Sequence, residues 1–249
     1  MDWHIGCSGF HYREWKGVFY PDGLAQRKWF DYYCQHFNTL ELNVTFYRFP
    51  QPAFLKNWFD KSPDGFRFAV KAPRAITHYK QFNQCADLIG SFYETIREGL
   101  QHKLGPVLFQ LPPSFSYTDE RLERIIENLY PGFINVLEFR HPSWWNDEVY
   151  LQLAARHIIF SGISHPKLTN DNAIVNTDAA YYRFHGVPVL FSSSYADDFI
   201  KHIAGQLKAN PDLKQCWIYF NNTMHTAAIE NAKTMLQLVT CADGQQLLV

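Results

Sequence analysis

The sequence predicts an α/β fold, a single (β/α)8 TIM-like barrel over residues 1–249, and three observations carry that expectation. Short apolar runs of strand length recur along the chain, and most are followed by a stretch with helical spacing of apolar residues. Ionisable residues interrupt those runs at their C-terminal ends, often in pairs two apart. No low-complexity segment or linker breaks the rhythm, so no domain boundary is expected. A length of 249 residues is that of one eight-fold barrel, and 47% hydrophobic against 19% charged residues supplies a core and excludes disorder.

Eight strand-like runs cover residues 3–7, 39–44, 66–71, 107–111, 135–139, 158–163, 180–185 and 216–221. Helical patterns lie between them at 26–36, 52–61, 84–101, 119–129, 147–156, 195–209 and 226–239. Alternation of strand and helix is what βαβ units require. The helix from Asp119 follows a turn of two prolines and Ser114, and Pro131-Gly132 marks its end. The sixth crossover, 167–178, is polar and lacks an amphipathic pattern, so a loop or a single helical turn is expected there. Gly6-Cys7-Ser8-Gly9 is too short and wrongly spaced for the glycine fingerprint of a dinucleotide site.

Composition removes several function classes. A net charge of −1 and a pI near 6.8 give no global field to draw in nucleic acid or an acidic membrane. Anion selectivity must be local. Cys7, Cys34, Cys85, Cys216 and Cys241 form no close pair, so neither a disulfide framework nor a zinc knuckle is expected. The first residues have no basic stretch leading into a long apolar one, and no apolar run approaches membrane-span length, so the expectation is a cytoplasmic chain without a membrane partner. Aromatic residues reach 17%, which reads first as packing between helices and strands.

The chemistry concentrates at the strand ends. Glu41 with Asn43, Glu138 with Arg140, and Arg183 with His185 are each two apart, so each pair shares a face of its strand. A barrel strand's outer face meets apolar helices, so these pairs are expected to point inward at the catalytic end of the fold. Ser8, Lys71, Gln110 and Asn221 occupy equivalent ends, with His141 just beyond its strand and His78 in the loop after the third strand. Ser8-Gly9 reads as a tight turn offering backbone N–H groups to an anion. The expected roles are Glu138 as general base or acid with Glu41 or His185 as partner. Lys71, Arg140 and Arg183 would hold negative charge, and His141, Asn43, Gln110, Asn221, Ser8, His78, Tyr47 and Trp144 would contact substrate.

A metal is a competing reading. Glu41, Glu138, His141 and His185 offer oxygen and nitrogen donors for one divalent ion, but the nearby cations compete for the carboxylates and repel it. No cofactor is therefore expected. A nucleophilic serine lacks the GxSxG elbow.

The motifs at these strand ends resemble those of the YecE-like family, domain of unknown function 72, over nearly the whole chain. They are Gly6-Cys7-Ser8-Gly9-Phe10-His11-Tyr12 with Trp15, Gly17 and Phe19-Tyr20-Pro21; Glu41-Leu42-Asn43-Val44-Thr45-Phe46-Tyr47-Arg48; and Lys71 with Thr77-His78. Lys103-Leu104-Gly105, Gln110-Leu111-Pro112-Pro113 and Glu138-Phe139-Arg140-His141 with Ser143-Trp144 follow. Arg183-Phe184-His185-Gly186 and Tyr219-Phe220-Asn221-Asn222 with Asn231-Ala232 complete them. Phe10 and Val187 depart from the pattern, which more usually has an indole or phenol ring and an arginine there. The resemblance implies a TIM barrel and, by itself, no activity.

The leading expectation is an enzyme acting by acid–base chemistry on a small anionic substrate, a phosphorylated sugar or nucleotide-like molecule, with hydrolysis, isomerisation and lyase chemistry open. One alternative is a non-catalytic barrel that binds a ligand or nucleic acid through Arg48, Arg74, Lys80 and the strand-end cations. Another is a glycoside hydrolase using Glu41 and Glu138, against which the cations count.

Overall fold

Residues Asn135–Glu138 are buried at every position, and Gln215–Phe220 at all but the first. Runs of this kind suit parallel strands, both of whose faces are covered, better than strands with one wet face. The computed structural model describes residues 1–240, which leaves Cys241 outside the described residues. In chain order the strands are β1 (Asp2–Cys7), β2 (Thr39–Leu42), β3 (Arg67–Lys71), β4 (Leu104–Gln110), β5 (Asn135–Glu138), β6 (Ile159–Phe160), β7 (Gly162–Ser164), β8 (Ala179–Phe184) and β9 (Gln215–Phe220). The helices are α1 (Trp29–Tyr33), α2 (Val44–Tyr47), α3 (Pro52–Lys61), α4 (Ala86–Leu100), α5 (Asp119–Asn128), α6 (Asp147–Ala154), α7 (Asp197–Lys208) and α8 (Ala227–Thr240).

The fold is mixed α/β with parallel sheets, but the single closed barrel is not what the hydrogen bonds describe. They form two sheets, β1-β9-β8-β7 and β2-β3-β4-β5-β6, and among the described residues no strand pairing joins them into one ring. The ninth strand arises where the expected run 158–163 breaks at Ser161. Ser161 N–H donates to Leu137 O at 2.9 Å, continuing the β5–β6 pairing, and Gly162 then begins the pairing of β7 with β8. Glycine is required there, because a Cβ on Gly162 would lie 2.6 Å from Tyr182 Cδ2. The chain divides into two units, Met1–Leu40 with the chain from Gly162 onward, and Glu41–Ser161.

In the first unit α7 packs on α8, and α8 covers β1 and β9. Much of the aromatic surplus is core here: Trp15, Tyr20, Trp29, Phe30 and Tyr33 are buried, and Tyr20 stacks on Trp29 with centroids 4.6 Å apart. The Tyr33 hydroxyl accepts from Cys7 N–H at 2.7 Å and donates to Thr39 O at 3.0 Å. The expected helix 26–36 is a 3-10 turn, Gln26–Lys28, followed by the short α1. The sixth crossover has no helix. Its backbone is held from α7, where Gln206 accepts from Ala173 N–H at 2.9 Å and donates to Asn172 Oδ1 at 2.8 Å.

In the second unit α3 packs on α4, with Gly99 against Leu55. Both α5 and α6 begin as their sequences predict, with Thr118 accepting from Arg121 N–H and Asn146 from Val149 N–H. The expected strand 39–44 stops at Leu42, and α2 follows. Thr45 Oγ1 is bound to Leu42 O at 2.9 Å and to Lys71 O at 2.6 Å, which turns the chain across the end of β3. No helix among the described residues is long and apolar enough to cross a membrane.

Lys103, the first residue of one family motif, is only 3% exposed. Its ammonium donates to Phe59 O at 2.7 Å, Ser62 O at 2.6 Å and Ser62 Oγ at 3.1 Å, using all three protons to close the C-terminus of α3. Lys103→Met keeps the stem and leaves those carbonyls without a donor, at a cost of about 1–3 kcal/mol. A lowered urea midpoint at unchanged m-value is the expected result.

Candidate functional site

In the second unit the ends of four strands bring together Glu41 (β2), Lys71 (β3), Gln110 (β4) and Glu138 (β5). Gln110 and Glu138 are register partners in neighbouring strands. Glu41 and Glu138 are both fully buried. Arg140, two residues past Glu138, donates to its Oε1 from Nε at 2.6 Å and Nη2 at 2.5 Å. The Gln110 amide donates to Leu111 O at 2.7 Å, which turns its oxygen to accept from Lys71 Nζ at 3.0 Å. Lys71 Nζ also lies 4.1 Å from the Phe46 ring centroid, a cation–π contact.

His78 meets the edge of the same Phe46 ring, with centroids 5.0 Å apart, and its Nδ1 lies 2.9 Å from Thr77 Oγ1. Burial, then Lys71, Arg140 and Arg74, hold its pKa down at about 4 against an ordinary 6.5. It sits in a π-helical turn, Ala75–Tyr79, that follows β3 and is closed by Lys80 N–H to Ala75 O at 3.0 Å. Such turns collect at functional sites. Three residues just after it, Gln81, Phe82 and Gln84, have positive φ.

The first unit carries a second cluster at the ends of β8 and β9. Arg183 and His185 are fully buried, and His185 packs edge-on against His165 with centroids 5.6 Å apart. Arg183 Nη1 lies 3.4 Å from His185 Nε2, and the Asn221 amide 2.9 Å from Nδ1. A guanidinium only donates, so the ring presents Nε2 to a donor while the Asn221 side-chain amide faces its other nitrogen. Tyr195 organises the surroundings: its hydroxyl accepts from Gly186 N–H at 2.8 Å and lies 3.0 Å from Ser164 Oγ, and burial raises its pKa to about 12.

Other expected site residues have plainer placements. The N–H groups of Ser8 and Gly9, expected to face an anion, donate instead to Phe220 O at 2.9 Å and Cys7 O at 3.1 Å. Trp144 is buried and stacked on Phe139 at 4.0 Å, with its N–H donated to Phe115 O at 2.7 Å. His141 Nδ1 accepts from Ser143 N–H at 3.2 Å, capping the turn Pro142–Trp144. Tyr47 is 70% exposed, and Asn43 Oδ1 is buried with no donor among the described residues. Arg74 enters the sequence reading only through the ligand- or nucleic-acid-binding alternative, and Tyr79 and Ser164 do not enter it; a run without carboxylates around Arg74 is the available signal for Arg74 and Tyr79.

Among the described residues no group of three or more His, Cys, Asp or Glu side chains is placed to hold a metal ion. Burial raises the Cys7 and Cys216 thiols, the latter to about 12, which suits packing rather than nucleophilic attack.

The family described as "Protein of unknown function DUF72" matches residues 4–247. The chain belongs to the DUF72 family. It is 25% identical to UPF0759 protein YunF of Bacillus subtilis, over 95% of this chain and 94% of that one. It is 34% identical to UPF0759 protein YecE of Escherichia coli over a shorter stretch, 45% of this chain and 42% of the other. A crystal structure of a DUF72 family protein from Thermotoga maritima superposes with a TM-score of 0.86 at 27% identity, covering 96% of this chain and 99% of that one. One from Enterococcus faecalis gives 0.80 at 17% identity over 96% and 95%, a likeness of fold alone. The DUF72 motif residues thus divide between the two clusters, with Glu41, Lys71, Gln110, Glu138 and Arg140 in one and Arg183, His185 and Asn221 in the other.

The depressed His78 pKa has a defined consequence. The unfolded chain binds this proton more tightly than the folded one, so the stability it contributes is complete above pH 6.5 and is lost as pH falls through about 4. NMR titration of His78 is expected to give a midpoint near 4. Lys71→Met removes the second-largest cause and moves that midpoint up toward 6.5; a midpoint that stays put would exclude Lys71 as a cause.

Proposed function

We propose that this DUF72 chain is an enzyme that binds a small anionic, phosphate-bearing substrate at the ends of β3 to β5 and moves protons with buried carboxylates. The observation that carries the reading is the convergence on neighbouring strand ends of Lys71 and Arg140 with Glu41 and Glu138, both fully buried. Burying several charges together is costly for stability alone, and ion pairs of this kind are often no better than apolar packing of similar volume. The His78 shift is consistent with it: burial is its largest cause, and Lys71, Arg140 and Arg74 lower it further.

In this reading Lys71 and Arg140 hold the anion. Glu138, addressed by the Arg140 guanidinium, is a carboxylate and acts as the base. Substrate binding draws Arg140 partly onto the anion and loosens its hold on Glu138, raising the carboxylate's basicity as the reaction needs it. Glu41 is the partner acid or base. His185 is a further proton-transfer group on its own geometry, with its Nε2 3.4 Å from Arg183 Nη1.

Calorimetry with inorganic phosphate is the first test, with binding expected for the natural chain and loss in Lys71→Met and Arg140→Met. Phosphate is also expected to raise the His78 midpoint, because a bound anion offsets the cations that lower it. Glu138→Gln should retain phosphate binding and reduce turnover of a phosphorylated substrate, found by screening sugar phosphates and nucleotides, by about 10²- to 10⁴-fold. Full turnover in Glu138→Gln would remove the base assignment.

A further inference from the structure

Beside Lys71 lies an arrangement that holding a phosphate does not require. Tyr47 and Tyr79 are 70% and 69% exposed. The Arg74 guanidinium lies 5.7 Å from the centroid of Tyr47 and 5.4 Å from that of Tyr79. Large aromatic rings scattered singly on a surface need no explanation, but two rings joined through one guanidinium form a platform. One of them belongs to α2 and the other to the π-helical turn after β3.

The platform adjoins Lys71 through a single phenyl ring. The Phe46 centroid is 4.1 Å from Lys71 Nζ, and the Phe46 and Tyr47 centroids are 5.0 Å apart. The segments that carry it hold no carboxylate. None occurs between Glu41 and Asp60 or between Asp64 and Asp87, whereas Arg48, Lys56, Arg67, Lys71, Arg74 and Lys80 do. A phosphosugar offers these rings only the C–H face of its sugar and nothing that stacks as a π-system. Aromatic faces and guanidinium planes together are what a base stacks on, with cations alongside for its phosphate.

We propose that the substrate bound by Lys71 and Arg140 is a nucleotide, whose base stacks on the Tyr47–Arg74–Tyr79 platform while its sugar spans the Phe46 ring. The proposal rests on the anion-binding reading above and selects the nucleotide from the phosphorylated compounds which that reading allows.

Calorimetry on the full chain with inorganic phosphate, ribose 5-phosphate and adenosine 5′-monophosphate separates the two. The monophosphate is expected to bind about tenfold or more tighter than ribose 5-phosphate, the gain that one stacked base brings. The double variant Tyr47→Ala/Tyr79→Ala, at exposed positions, should bring the nucleotide down to the affinity of ribose 5-phosphate and leave phosphate unchanged. If phosphate and ribose 5-phosphate bind but the nucleotide binds no tighter, or keeps its advantage in the double variant, the stacking proposal fails while the anion site stands. If none of the three binds, both fail.

Discussion

A carboxylate can sit fully buried at the end of β5 only if something meets its charge, and the nearest provision is local. Arg140 follows Glu138 by two residues and places two N–H donors on one oxygen. Removing a carboxylate from water costs several kcal/mol without such a partner, and removing one partner of a buried pair leaves the other uncompensated. The rest of the cluster depends on this pair. Arg140 is one of the cations whose field keeps His78 neutral, and Gln110, the register neighbour of Glu138, positions its amide toward Lys71. The strand ends therefore carry a cation on β3, a neutral amide on β4 and a carboxyl group on β5, in that order.

The other unit repeats the construction with different groups. Arg183 lies on β8, His185 follows it by two residues, and the residue just past β9 supplies the amide that fixes the ring. In both places the period of two sets one charged group on the strand and its partner just beyond, on the same face. A backbone held on both sides by parallel neighbours leaves little freedom for either group to turn away. That rigidity makes a fixed ring orientation at His185 and a fixed amide at Gln110 attainable without further cost.

This periodicity is also why so much of the fold, and of which residues stand at its strand ends, is legible from sequence. The strands fall within a few residues of the apolar runs, and α3 spans the predicted 52–61, because burial and spacing alone set them. The break at Ser161 was not legible, since a change of pairing partner is decided by the sheets and leaves no local signature. Nor was the π-helical turn at Ala75–Tyr79, whose wider hydrogen bonding has no sequence code. Ser8-Gly9 misled for a related reason. Glycine with φ of +95° does mark a tight turn, but whether its N–H groups face a ligand depends on which carbonyls lie near, and Phe220 O and Cys7 O do. Tyr47 and Trp144 read alike in the sequence, yet one is exposed and the other stacked in the core.

The motif residues can be separated by asking which buried polar atoms the fold itself satisfies. Lys103 gives every proton to α3, and Asn231 both accepts from Tyr195 N–H at 3.1 Å and donates to Tyr195 O at 3.0 Å, so their burial is explained by the stability they confer. Asn43 Oδ1 and Asn222 Oδ1 differ, for each is buried with no donor among the described residues. An unmet buried acceptor costs about 1–3 kcal/mol, and an apolar side chain of similar shape would avoid that loss. Asn43 adjoins the end of β2, one residue beyond Leu42, and Asn222 lies just past β9. Asn43 stands beyond the strand that carries Glu41, and Asn222 beyond β9, which neighbours the strand that carries Arg183. Lys103 and Asn231 are thus accounted for by the packing they complete, and Asn43 and Asn222 are not accounted for by any protein donor among the described residues.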